Sequence, residues 1–423
     1  MKGRPYLGSV PGADEVRLRR ADPRPHGVPV RLLTGLATAL ALTLAPAAVA
    51  GPASASTPEP TPVPLLTAEN AIPGRYIVTL DAGVDGAKLA EQLKLKPSFV
   101  YSKAVNGFAV AMTTSQLAAV RLAPGVKSVE EDAEVSAPLQ PAAGPALRAP
   151  AATWGLDRID QRGLPLDGTY TPTGSGAGVT AYVIDSGIDY QHAEFGGRAV
   201  FGFDAIGDGR QGLDCNGHGT HVAGTVAGKT YGVATKANLV SVRVLGCDGR
   251  GAWSGIIAGF DWVAKNARQP AVANASLGGD RSTTVNAAAT ALSDAGVLPV
   301  VAAGNEARDA CNVSPASAAR VLTVGASNAY DQETDFSNYG PCVNLYAPGQ
   351  DVVSARLGGG TVALNGTSMA SPHVAGIAVL YRQAHPTETP AQIYTYLKQN
   401  ATKGVLTRVS TGSPNELLFT SGL

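Results

Sequence analysis

Between Trp154 and Leu423 the chain alternates short unbroken apolar runs with helical stretches, and this constrains the fold more than any other feature. The runs are Gly178–Ile184, Leu239–Leu245, Ala271–Ala275, Val297–Ala302 and Val321–Val324. A strand that is apolar on both faces must be covered on both faces. The stretches between them, Thr220–Ala227, Ser254–Lys265 and Thr284–Ala295, supply the cover, with Ser368–Gln383 and Pro390–Asn400 beyond. The expected fold class is therefore α/β, a mostly parallel sheet flanked by helices.

Ahead of it stand two segments that cannot bury a core. Residues 51–71 open on a Pro/Ala/Ser/Thr linker, and residues 137–152 are almost wholly Ala and Pro. The span they enclose, 72–136, alternates apolar residues at Gly74–Leu80, Val105–Met112 and Val126–Val135 and has helical spacing at Ala87–Leu95 and Thr114–Leu122. It reads as a small α+β domain of ferredoxin-like order, β-α-β-β-α-β. Residues 153–423 form the large domain.

The first fifty residues carry an export address. Arg17, Arg19, Arg20, Arg24 and Arg31 precede the apolar run Leu32–Ala50, which closes on Ala48-Val49-Ala50. A basic region, a short Ala-diluted apolar region and an Ala-x-Ala exit read as a signal peptide. The product is expected to be secreted, not membrane-bound and monomeric. Formal net charge is zero, which favours no nucleic-acid partner. Four cysteines, Cys215, Cys247, Cys311 and Cys342, are an even count in an exported chain and point to disulfides, with three pairings open. None stands in Cys-x-x-Cys spacing, so zinc is not expected.

Functional groups of a parallel sheet gather beyond the carboxyl ends of its strands. Asp185 stands there, directly after Ala181–Ile184. His218 follows in Gly217-His218-Gly219, at the start of a helical stretch. His218 and His221 are three apart, but no His-Glu-x-x-His spacing supports a metal. Ser368, in Gly366-Thr367-Ser368-Met369-Ala370, opens another helix, where backbone N–H groups favour a developing negative charge. Each alone has a bland use as turn former, core histidine or N-cap. Their order excludes the α/β-hydrolases, which place the acid and then the histidine after the serine, and no Asp occurs beyond Ser368. Asp, His, Ser is the remaining order.

The blocks Ile184–Ile188, Gly217–Gly224 and Gly366–Gly376 resemble the three signature blocks of the subtilases. Trp154–Gln161, Asp214–Gly217 and Phe336–Gly340 resemble the proteinase K branch, and within it the aqualysin-like enzymes. The resemblance runs from Trp154 to the C-terminus. It implies a serine endopeptidase of subtilisin-like fold with Asp185, His218 and Ser368 as triad and Asn305 as oxyanion donor. Gly249-Arg250-Gly251-Ala252-Trp253 and Ser276-Leu277-Gly278 would pair with an extended polypeptide substrate. Ala302 and Ala303 would leave the first specificity pocket roomy, uncharged and suited to apolar residues.

The same resemblance implies the pairs Cys215–Cys247 and Cys311–Cys342, each closing a loop of about 30 residues worth on the order of 3 kcal/mol. It makes residues 72–136 an inhibitory propeptide, with the chain a self-processing zymogen trimmed at Leu147 or Arg148. A structural calcium ion is expected on Asp157, Asp160, Gln161 and Asp167, whose hard oxygens suit it. A weaker site would use the carbonyls of Ala319 and Val321 and the side chain of Asn344, where relatives carry a carboxylate. A catalytically silent binding protein of this fold would lack a triad residue. An acid-acting sedolisin-type peptidase would have Glu in place of His218.

Overall fold

The computed structural model describes residues 61–137, 140–141 and 154–423. The expected signal peptide and the trimming residues Leu147 and Arg148 lie outside them. In chain order the small domain comprises β1 (Leu65–Leu66), β2 (Ala71–Leu80), α1 (Gly86–Gln92), β3 (Pro97–Tyr101), β4 (Gly107–Ala111), α2 (Thr114–Val120) and β5 (Val126–Ser136). Local chemistry starts its helices. Asp85 caps α1 by accepting from Lys88 N–H, and Thr113 and Gln116 form a reciprocal capping box on α2. The strands pair in the order β1-β5-β2-β4-β3 over a core of Val78, Leu80, Phe108, Val110 and Val129.

Order begins earlier than Ile72: Leu65 and Leu66 pair in parallel with Val129 and Glu130. An apolar pair directly after a Pro-rich stretch is too short to show a period. β3 was likewise given no residues by periodicity, because only Tyr101 of its five residues is buried.

The large domain opens with α3 (Trp154–Ile159), β6 (Thr180–Asp185), β7 (Ala199–Asp204), α4 (His218–Ala227) and β8 (Asn238–Arg243). It continues through β9 (Arg250–Ala252), α5 (Trp253–Asn266), β10 (Ala271–Ala275), β11 (Gly279–Asp280), α6 (Thr283–Asp294), β12 (Leu298–Ala302) and β13 (Val313–Ser314). It ends with β14 (Leu322–Ser327), β15 (Leu345–Pro348), β16 (Val352–Ala355), β17 (Thr361–Leu364), α7 (Thr367–Ala384), α8 (Pro390–Asn400), β18 (Thr402–Lys403) and β19 (Glu416–Leu417).

Seven parallel strands run β7-β8-β6-β10-β12-β14-β15, and β19 and β18 extend the sheet beyond β15. Helices α4 and α7 bury one face and α5 and α6 the other, each with its own apolar cluster. The chain order reverses about β6: β7 and β8 lie to one side and β10 onward to the other. The loops leaving β6, β8 and β10 therefore diverge around a crevice, where such sheets bind ligands. Among the described residues no helix is long and apolar enough to cross a membrane.

Candidate active site

The loops after β6 and before α4 bring the first two groups together. Asp185, the last residue of β6, is fully buried, and its Oδ1 lies 2.8 Å from His218 Nδ1 while accepting Ser186 N–H at 2.7 Å. His218 is the first residue of α4, two earlier than periodicity placed the helix. Gly217 before it is left-handed (φ 104°), and a Cβ on Gly219 would sit 2.2 Å from the Gly187 carbonyl oxygen. Both glycines are required for α4 to start this close to β6.

Asp214 holds that start in place. Its carboxylate accepts the N–H groups of Asn216, Gly217 and Thr220 and the hydroxyls of Ser186 and Thr220. Burial works to lower the pKa of His218. The charge and hydrogen bond of Asp185, with the charge of Asp214 behind, outweigh it and hold the imidazole above its ordinary 6.5. His221 is not a metal ligand here: its Nε2 faces the carbonyls of Val352 and Val362, and burial holds it neutral, its pKa pulled down to about 3.

Ser368 is the second residue of α7, behind Gly366. Its hydroxyl donates to the Ser276 carbonyl at 3.1 Å. The Ser276 hydroxyl donates in turn to the Ser368 carbonyl (2.8 Å), and Asn274 links Ser276 to Ser371 across α7. Asn305 follows β12. Its Oδ1 accepts both the N–H (2.8 Å) and the hydroxyl (2.9 Å) of Thr367, which fixes the amide and leaves its NH2 beside Gly366. Donors thus converge from the Ser368 backbone and from Asn305, the arrangement that stabilises an oxyanion.

The small domain occupies the crevice. β5 runs antiparallel to β9, with Glu134, Val135 and Ser136 opposite Ala252, Gly251 and Arg250. Ser136 also bridges Gly278, and Ala137 N–H donates to the Gly249 carbonyl at 2.9 Å. Both expected substrate segments are thus engaged by backbone. Trp253 differs: it opens α5, is 2% exposed, and packs beneath the strand against Gly279 rather than lining the cleft. Leu277, Ala302, Asn305 and Ser368 surround a residual cavity of about 40 Å³ beside Ser136 and Ala137. Glu306 lines it too, its Oε2 accepting from Asn305 N–H and the Asn338 amide. Ala303 is fully buried in a separate cluster with Val313 and Tyr346.

Four carboxylates that no local pattern marks add to the attachment, beside Tyr101 OH, which donates to the Ser254 carbonyl, and Asn70, which donates to Asp280. Asp132 accepts the N–H (2.9 Å) and hydroxyl (2.6 Å) of Ser254 at the start of α5, and pairs with Arg75. Glu130 accepts the hydroxyl (2.5 Å) and N–H (3.3 Å) of Thr284 at the start of α6. Glu134 pairs with Arg250 at 2.6 Å. In the opposite direction, Asp261 of α5 accepts three consecutive N–H groups, from Ser102, Lys103 and Ala104. Anions at helix N-termini and in a nest of amides are favourably placed.

The two expected calcium sites differ in fit. Asp157 is buried with Oδ1 unpartnered, and burial together with the charges of Asp157 and Asp167 raises the pKa of Asp160. An orphaned buried carboxylate oxygen beside a second carboxylate suits a hard cation, although the three carboxylates of Asp157, Asp160 and Asp167 are not drawn together to within ligand distance of one another. Gln161 contributes less, since its Oε1 already accepts Asp167 N–H. At the weaker site the oxygens are taken: Asn344 Oδ1 accepts Thr323 N–H at 2.7 Å, and the Ala319 carbonyl accepts the Thr290 hydroxyl at 2.8 Å. Val321 and Asn344 line a cavity of about 380 Å³ whose lining holds Arg320 and no carboxylate. That donor set does not fit a dication. The disulfides join Cys215 to Cys247 and Cys311 to Cys342.

Residues 176–417 match the model of the subtilase family, and residues 75–138 match that of peptidase inhibitor I9. The chain belongs to the subtilase family of serine endopeptidases. It is 47% identical over 382 residues to an extracellular serine proteinase of Thermus sp. (strain Rt41A), covering 84% of this chain and 91% of that one. Proteinase R of Parengyodontium album is 40% identical over 366 residues, covering 84% and 91%. A cold-adapted subtilisin-like serine proteinase of known crystal structure superposes with a TM-score of 0.62 at 50% identity, covering 63% of this chain and 97% of that one.

Proposed function

We propose that this chain is a secreted, self-processing zymogen of a serine endopeptidase that cuts extended polypeptides through Asp185, His218 and Ser368. The observation that carries the reading is the course of β5, which enters the crevice as a third strand between the β9 edge and Gly278 and ends beside Ser368. A substrate bound the same way would be held by its backbone, so side-chain selection would be broad.

His218 takes the proton of Ser368 as the hydroxyl attacks the peptide carbonyl, and returns it to the leaving amine. Asp185 holds the Nδ1 proton and stabilises the imidazolium that forms. The Ser368 N–H and the Asn305 amide receive the oxyanion. The cavity takes an apolar residue. The enzyme acts as a monomer, since one chain supplies every group of the site. Residues 61–137 act as its inhibitor. Calcium in the Asp157–Asp167 loop would tie that loop in place and takes no part in the chemistry.

Ser368→Ala, expressed in a host free of other proteases, should accumulate as uncut precursor with no casein hydrolysis. Wild-type protein should lose activity to a serine-directed phosphonylating reagent and keep it against thiol blockers. Full processing of Ser368→Ala would refute the self-processing reading.

A further inference from the structure

One side chain of the β9 edge reaches past the backbone pairing. Along β5, Glu134, Val135 and Ser136 are exposed, buried and exposed in turn, as the alternation of a strand requires. Val135 faces inward against Gly279, which the Trp253 ring also adjoins. Glu134 and Ser136 face the other way. Arg250 stands opposite Ser136 in register, and its guanidinium crosses to the diagonal neighbour, where Nη1 meets Glu134 Oε1 at 2.6 Å. Diagonal pairs of an antiparallel ladder lie within reach of a long side chain.

Glu134 belongs to the small domain and leaves with it. Among the described residues it is the only carboxylate paired with the Arg250 guanidinium. Two other charged groups share the cleft of about 480 Å³ around this pair, Arg75 and Asp248. Arg75 pairs with Asp132 and departs with the small domain too. Asp248 stays, its carboxylate turned to the Arg250 backbone N–H at 3.0 Å. Release therefore leaves a cation on the substrate-binding edge without the anion it held.

We infer that Arg250 is a specificity-determining residue, selecting in a polypeptide substrate an acidic side chain at the place Glu134 fills. That place lies directly before the apolar residue that takes the position of Val135. The inference rests on the reading of β5 as a substrate-like strand and narrows it. Backbone pairing is indifferent to side chains, and this one position is not.

Exposure sets the magnitude. The two side chains are 62% and 47% exposed. Exposed ion pairs are weak, so Glu in this place should gain about 2–5-fold in kcat/KM over Gln. Glu134 lies three residues before Ala137, which lines the cavity at Ser368. A contact so far from the reacting carbonyl is the same in the ground and transition states, so the gain should fall in KM and leave kcat unchanged. It should shrink at about 1 M salt, where the screening length is about 3 Å. Asp248 competes for the same cation, so Asp248→Asn should raise the preference.

The test uses the matured enzyme and internally quenched peptides. Each peptide holds one Val among small neutral residues, to set the register, and a single Glu or Gln stepped along the chain on either side of it. Mass spectrometry of the products fixes the bond cut in each. In the wild type the Glu/Gln ratio of kcat/KM should peak with Glu immediately before the Val. In Arg250→Glu that ratio should fall below one, and Lys in the same place should outrun Gln. Arg250→Gln removes the charge without reversing it and should bring the ratio to one. A flat ratio in the wild type, or a peak that survives both substitutions, overturns the inference and leaves the endopeptidase reading intact. Absence of cleavage in every peptide would instead sink the endopeptidase reading on which it rests.

Discussion

Replacing Asn305 by Asp separates the two roles proposed here for one side chain. The Oδ1 atom accepts from Thr367 N–H and Thr367 Oγ1, which ties the β12 exit to the start of α7. An aspartate keeps that acceptor and nearly the same shape. What it loses is the NH2 group beside Gly366, exchanged for an oxygen carrying negative charge. Loss of one oxyanion donor costs about 10²–10³ in kcat, or about 2.7–4 kcal/mol. Repulsion between the carboxylate and the developing oxyanion places the expected loss at the upper end of that range. KM should hardly change, because the donor acts on charge present only in the transition state. Asn305→Ala should lose as much rate and also loosen the tie to Thr367. Each such hydrogen bond is worth about 1 kcal/mol of stability, so the alanine variant should melt lower than the aspartate one.

The assay is steady-state hydrolysis of a chromogenic peptide amide, with active sites titrated by a phosphonylating reagent so that kcat refers to folded enzyme. The variant precursor is matured by a trace of wild-type enzyme whose activity is subtracted. Unchanged kcat in Asn305→Asp, or a loss seen only in KM, would refute the role given to the amide.

The pH profile follows from His218, which must be neutral to accept the serine proton. Its pKa is held above 6.5, so activity should rise with pH through a titration above that value, and Asp214→Asn should move the rise to lower pH; a wild-type rise centred below pH 6 would contradict the arrangement. The double substitution Glu130→Ala/Asp132→Ala removes both helix-capping carboxylates. At about 0.5–2 kcal/mol per cap, the cleaved propeptide should leave sooner, read as a shorter lag before activity appears, and an unchanged lag would show that β5 alone does the holding. Chelator should lower the melting temperature of the mature enzyme, and Asp160→Ala should abolish most of that sensitivity. A melting curve indifferent to calcium in the wild type would remove the ion from the Asp157–Asp167 loop.

What could be read from the sequence was whatever depends on a residue's own neighbours in the chain. β6, β10 and β12 are apolar without interruption because both their faces are covered, and they stand out for that reason. Asp185, His218 and Ser368 stand at element ends marked by glycines, so their positions could be placed before their contacts. β7 could not, since it is an edge strand whose Val200 and Phe201 are half exposed, which mixes the pattern. Asn274 and Ser371 act on each other across a distance in sequence that no local spacing encodes. Glu130, Asp132 and Glu134 look like a solvated strand face. Their meaning lies in what stands opposite them more than a hundred residues away: helix N-termini for Glu130 and Asp132, and Arg250 for Glu134.

That separation explains how a tight internal inhibitor can still be removable. Ser254 N–H and Thr284 N–H are helix-start donors, which water can satisfy once the propeptide leaves. Asp261 keeps its pairing with Lys265 at 2.5 Å when the amides of Ser102, Lys103 and Ala104 depart. The edge of β9 then stands open to the next extended chain. Arg158 stands in contrast: its fully buried guanidinium depends on Asp331 within the domain itself. Polar contacts at rehydratable helix ends are therefore suited to a partner that must fit closely once and then be digested. Buried ion pairs such as Arg158–Asp331 are kept for the part of the chain that must persist.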